Sequence, residues 1–232
     1  MSIEVISEYL DSYEGRDKFL RTLSYAAKLA SGFPASNQTS EKFKCFSSKM
    51  SGARVILRLL DDIPNIHHAM TYGWGQKEPD WFIRTIELVK IAVDTFYGPV
   101  EHLCWAGENK LIPLDTEKWG NATVWFWIAS LYLSLMKTLR RYKLLKKQEF
   151  SFRKQGLDPR FNKAKLNSQQ NNELLICLRL LLDLSYAVSY LPAGTLWGGK
   201  FSAWQVGALG TISSFIGVYQ ALSKRMMQKK NS

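Results

Sequence analysis

The clearest pattern lies near the C-terminal end. Residues 203–222, AWQVGALGTISSFIGVYQAL, form a twenty-residue run without a charge. That length crosses a hydrocarbon core as a helix. Lys224, Arg225, Lys229 and Lys230 follow directly, as flanks outside a membrane do. Ala203, Gly207, Gly210, Ser214, Gly217 and Ala221 recur at steps of three and four, giving this helix one face of small residues. In lipid such a face lets two backbones approach closely, so the seam is expected to hold two copies together or to dock on another helix. Residues 119–136, WGNATVWFWIASLYLSLM, are a second apolar stretch, with Trp119, Trp125 and Trp127 at its start and a basic run at its end. It reads as a tilted span or a deep interfacial helix. The apolar segment 173–192 carries Arg179 and Asp183, one turn apart if helical and able to pair. It fits a third span, a re-entrant hairpin or a helix packed on the others.

The first half reads differently. Breaks at Gly32–Pro34, Pro64, Gly73–Gly75 and Gly98–Pro99 separate amphipathic helical stretches. Over 17–30, Phe19, Leu23, Ala26 and Ala30 share a face opposite Asp17, Arg21, Ser24 and Lys28. Over 43–60, Phe43, Phe46, Met50, Ala53, Leu57 and Leu60 form a heptad stripe flanked by Lys44, Lys49, Arg54 and Arg58. Over 81–96, Trp81, Leu88, Ala92 and Phe96 oppose Glu87, Lys90 and Asp94. Strand alternation is nowhere sustained. The expected class is all-α: an amphipathic helical half over 1–118 on the cytosolic face, then a membrane-embedded helical half. That half comprises a span at 119–136, a basic loop at 137–172, an apolar helix at 173–192, a span at 203–222 and a basic tail at 223–232.

Charge sharpens this division. The formal net charge of +11 suggests nucleic acid until its distribution is read. Residues 1–118 carry 14 basic and 16 acidic side chains, whereas 137–172 carry 11 basic and 2 acidic. The excess sits beside apolar segments, which is the membrane pattern. No nucleic-acid partner is expected. Cys45, Cys104 and Cys177 are too few and scattered for a disulfide framework and imply reducing surroundings. The N-terminus has no secretory-signal pattern. His67, His68 and His102 lack the paired spacing of a zinc site. Phosphate loops, nucleophile elbows and H-E-x-x-H are absent from the sequence, so no catalytic residue, metal or cofactor is expected. A basic-rimmed apolar helix such as 43–60 can lie among lipid headgroups, through Phe43, Lys44, Phe46, Lys49, Met50, Arg54, Leu57, Arg58 and Leu60. On pattern alone, sealing a helical bundle is the simpler use of that stripe.

Several motifs resemble one family throughout the chain. Tyr13-Glu14-Gly15-Arg16-Asp17-Lys18-Phe19-Leu20-Arg21, continued by Tyr25 and Leu29, resembles the opening signature of the peroxisomal membrane protein 11 family, or peroxin-11. Arg54 to Asp62, Glu101-His102 with Trp105, Leu191-Pro192, Leu196-Trp197 and Gly210 to Ser214 with Tyr219-Gln220 resemble its gamma-type members. The resemblance implies a multi-pass peroxisomal membrane protein with both termini in the cytosol. It implies membrane elongation and peroxisome division through amphipathic helices, with 43–60 the first candidate and 17–30 the second. It also implies homo-oligomers and association with paralogues, with a tail-anchored fission adaptor and a dynamin-like GTPase as partners. A pore for small metabolites, lined by Arg179 and Asp183, is the alternative function. Lys229-Lys230-Asn231-Ser232 has, in addition, the dilysine spacing that coatomer reads on cytosolic tails.

Overall fold

The computed structural model describes residues 3–33, 36–154 and 159–231, with side chains except at residue 153, 159–164 and 227–231. The dilysine pair therefore lies outside the described side chains. Among the described residues there are eight helices and no strand: α1 (Ile3–Asp11), α2 (Tyr13–Ala30), α3 (Asn37–Arg58), α4 (Asp62–Tyr72), α5 (Trp81–Glu108), α6 (Thr116–Lys154), α7 (Pro159–Ser189) and α8 (Ala203–Asn231). The all-α expectation holds.

Local chemistry sets the boundaries. Ser12, Ser36 and Asp80 precede α2, α3 and α5 in extended backbone, and each side chain accepts from an amide three residues on. Pro64 falls in the first turn of α4, where its missing N–H costs nothing. Gly73 and Gly75 close α4 with φ of 54° and 67°, the left-handed region where glycine has no side chain to strain. The expected break at Gly98–Pro99 is not one, because α5 runs through it. A Cβ on Gly98 would stand 2.0 Å from Asp62 Oδ1, so this glycine serves the approach of α4.

The segment expected as a basic loop over 137–172 is also different. Residues 137–154 continue α6, and 159–172 begin α7. Leu, Lys, Arg, Gln and Glu dominate 137–150 without Gly or Pro, which is composition that sustains a helix. The two helices form a hairpin, with Leu135 packed among Cys177 and Leu180 and Gln170 donating to Glu149 at 3.0 Å. At 39 residues, α6 is about 58 Å long by helix rise, far beyond a ~30 Å hydrocarbon core. Its basic half therefore extends past any span that its apolar half makes. Among the described residues, two helices are long and apolar enough to cross a membrane, within Thr116–Phe152 and Ala203–Met226.

The helices assemble as two groups joined by α7. In one, α2 packs on α3 and α8; in the other, α5 packs on α6; α7 touches both α6 and α8. Amphipathicity is inverted in α2 and α3. On α2, Ser24 and Ala27 are buried and Arg21 turns inward, while Phe19 is exposed. On α3, Ser40 and Ser47 are buried against α2, while Phe43, Phe46, Ile56 and Leu60 point out. A soluble bundle would hide Phe46 and Ile56; here small hydroxyl side chains pack inward and those two stay exposed.

A polar interior centred on α2 and an apolar outer face on α3 and α4

The signature residues of α2 each hold a neighbouring element. A Cβ on Gly15 would lie 1.7 Å from the Tyr9 carbonyl oxygen, so only glycine lets α1 fold back at the Ser12 turn. Arg16 Nε donates to the Leu10 carbonyl at 2.8 Å, closing the same turn. Asp17 accepts from Arg54 Nε at 2.8 Å, tying α3 to α2. Lys18 pairs with Glu14 on the helix itself.

Arg21 is the hub. Its Nη2 donates to Asp183 at 2.5 Å, to Ser213 Oγ at 3.0 Å and to Tyr186 Oη at 3.1 Å. Ser213, fully buried, donates to the same Asp183 oxygen. One guanidinium thus fastens α2, α7 and α8. Asp183 pairs with Arg21 and not with Arg179, the partner that the i, i+4 spacing suggests. Tyr25 meets Tyr186 at a tilt, with ring centroids 5.2 Å apart, and Tyr186 and Tyr190 both meet Trp127 of α6.

The second half of the polar interior is a ladder between α5 and α6. Arg140 Nη2 donates to Asp80 at 2.8 Å, Lys137 Nζ to Glu87 at 2.6 Å and Ser130 Oγ to Asp94 at 2.7 Å. Glu101 accepts from Arg58 of α3 and from Tyr97 at 2.8 Å. Asp80, Glu87, Asp94 and Glu101 recur every seven residues. This carboxylate heptad lies outside the expected site residues, and its seven-residue spacing is the sequence signal for it. His102, beside Glu101, approaches the Leu59 carbonyl at 3.1 Å and Asp62 at 3.4 Å, which anchors the α3–α4 corner on α5.

Between the two groups lies a chamber of about 580 Å³, bounded by α2, α3, α5, α6 and α7. Arg21, Lys28, Arg54 and Arg58 reach its wall, together with Asp94, Asp183 and the aromatic cluster.

The residues expected at a lipid surface divide. Phe43, Phe46 and Leu60 are exposed, Leu60 at 73%, while Met50 and Leu57 are half-buried. Lys44 and Lys49 are exposed, Lys44 beside Glu41 at 2.8 Å. Arg54 and Arg58 are a correction: both turn inward to Asp17 and Glu101, because a carboxylate on the facing helix offers each a bidentate partner. The outer apolar line instead continues past α3. Ile63, Ile66, Met70 and Trp74 are exposed, Met70 at 79% and Trp74 at 81%, and α4 has no buried residue.

The small-residue face of α8 is occupied within the chain. A Cβ on Gly207 would sit 2.3 Å from the Leu29 amide nitrogen, and one on Gly210 2.2 Å from the Tyr25 ring. Ser214 and Gly217 are buried, the latter beside Arg179, and Ala203 at the end is exposed. In this arrangement α2, and not a second copy, fills the seam.

Buried charges and hydroxyls, exposed large apolar side chains and two helices long enough to span fit a helical membrane protein. The chain belongs to the peroxisomal biogenesis factor 11 (PEX11) family, whose model matches residues 3–222. It is similar to peroxisomal membrane protein 11C of Homo sapiens, 33% identical over 227 residues that cover 95% of this chain and 94% of that protein. The Mus musculus protein of the same name is 32% identical over 226 residues, covering 94% and 93%. No solved structure matches significantly. Membership makes this a peroxisomal membrane protein of a peroxisome biogenesis family.

Proposed function

We propose that the chain elongates the peroxisomal membrane ahead of division by seating the outer faces of α3 and α4 in one leaflet. The observation that carries this reading is the exposed apolar set Phe43, Phe46, Ile56, Leu60, Ile63, Met70 and Trp74 along α3, α4 and their ends. Each buried methylene contributes about 0.8 kcal/mol, so this set suffices for interfacial binding. Area inserted on one side expands that leaflet and favours curvature. The apolar parts of α6 and α8 cross the membrane, making the protein multi-pass. Copies of the chain and its paralogues associate through faces other than the α8 seam, which α2 occupies. A tail-anchored adaptor and a dynamin-like GTPase act on the elongated organelle; this partner set rests on family resemblance.

The test is Phe46→Ser with Leu60→Ser in cells, scored for peroxisome length at matched abundance. Shortened peroxisomes with normal protein levels are expected. Wild-type elongation at wild-type abundance contradicts the reading.

A further inference from the structure

The chamber between the two helix groups has a charge balance that points to an occupant. Arg21 is matched by Asp183, Arg54 by Asp17 and Arg58 by Glu101. Asp94 on the same wall is matched by Lys90 and by Ser130. Lys28 is the remaining wall cation, and among the described residues no carboxylate meets it. Its Nζ donates to Tyr190 Oη at 2.9 Å and lies 5.3 Å from the centre of that ring. An ammonium carries three donors, so two remain for something else. Counting Lys90, five cations face four carboxylates, Asp17, Asp94, Asp183 and Glu101, which leaves one positive charge. Burial pulls the Lys28 ammonium below the usual lysine range. A half-buried cation without a counter-charge is costly.

The walls around Lys28 have the character of a ligand site. Tyr25, Tyr190 and Trp127 supply flat apolar surface, with Tyr186 buried behind them, and Ser51 and Ser130 supply hydroxyls. A volume of about 580 Å³ lies in the range that holds small organic molecules. Lys28 and Ser51 also line a smaller recess toward Lys44 and Ala203, which places Lys28 where the two spaces adjoin.

We propose that this chamber binds a singly charged oxyanion carried on an apolar body, with Lys28 as its direct counter-ion and the Tyr–Trp cluster against the body. The anion completes the charge balance and takes the two idle ammonium donors. The same chemistry can arrive as a free carboxylate or as the headgroup of a singly charged phospholipid. The site makes no use of the outer face of α3 and α4, so it stands apart from membrane bending.

The test uses the full chain in zwitterionic detergent. Radiolabelled benzoate, an aromatic carboxylate, probes the free source by scintillation proximity. Phosphatidylglycerol added to the micelles, with native mass spectrometry, probes the lipid source. Saturable benzoate binding at one site per chain is expected, weakened at least tenfold by Lys28→Gln and unchanged by Lys77→Gln, an exposed lysine away from the chamber. Lys28→Arg, which keeps the charge, should retain it even if the neutral variant folds poorly. Retention of one phosphatidylglycerol by the wild type but not by Lys28→Gln, without benzoate binding, assigns the lipid source and equally supports the site. Absence of both signals in the wild type, or binding indifferent to Lys28→Gln, overturns the proposal and leaves a chamber filled by water.

Discussion

Arg21 and Asp183, 162 residues apart, form the ion pair that joins the opening signature of the chain to its C-terminal half. The pair is buried and shares hydrogen bonds with Ser213 and Tyr186. Removing one partner of such a pair strands the other charge, at about 3–5 kcal/mol. Arg21→Met should therefore lower the unfolding midpoint of the purified protein in detergent strongly. The double change Arg21→Met with Asp183→Leu should recover most of the loss, because neither charge remains. Equal instability of the single and double variants would show that the shape of the guanidinium, and not its charge, is what the site needs.

The α8 seam leads to a second expectation. Gly207→Leu drives a side chain into the α2 backbone at Leu29, and overpacking of this kind costs roughly 1–3 kcal/mol. Monomer stability in detergent should fall, together with cross-linking between cysteines placed on α2 and α8. Loss of cross-linked dimer with unchanged stability would mean that the seam faces another copy.

Gly15→Ala tests the opening turn. A Cβ there meets the Tyr9 carbonyl, so α1 must swing away from α2. Limited proteolysis should then release the segment before Ser12 several-fold faster than in the wild type. An unchanged rate would show that the turn yields without cost.

Asp80 gives a pH dependence. The Arg140 hydrogen bond, helped by the Ile83 amide, holds its carboxyl below the usual aspartate range. A depressed folded value means that its contribution is present above the unfolded pKa, about 4, and is lost as pH falls through the lower folded value. Amide exchange at the start of α5, corrected for intrinsic rate, should speed up on acidification below about pH 4. Asp80→Asn should abolish that response. The same response in the variant would locate it elsewhere.

Much of the fold was legible. The uncharged run 203–222, the class and the helices within 17–30, 43–60 and 81–96 all follow from length and period. The density of charge over 137–172 reads as a loop, whereas the composition of 137–150 favours the helix that is found there. What periodicity does not give is the direction in which a stripe faces. Ile56 and Ser47 lie on opposite sides of α3, and only the solvent decides which side turns inward. In lipid the polar side is sheltered, so α2 and α3 invert the rule for soluble helices. The signature residues Gly15, Asp17 and Arg21 could be found by resemblance, but their tasks depend on partners at Tyr9, Arg54 and Asp183 that sequence spacing does not pair.

The central claim is that the outer face of α3 and α4 rests in lipid. Full-length protein with Cys45→Ser, labelled with an environment-sensitive fluorophore at Leu60→Cys, can be reconstituted in vesicles containing shallow brominated lipids. Position 60 should emit as in an apolar medium and be quenched by the bromines, while Glu41→Cys, an exposed acidic position near the start of α3, should be quenched far less. A label at position 60 that emits as in water and is not quenched would contradict the account.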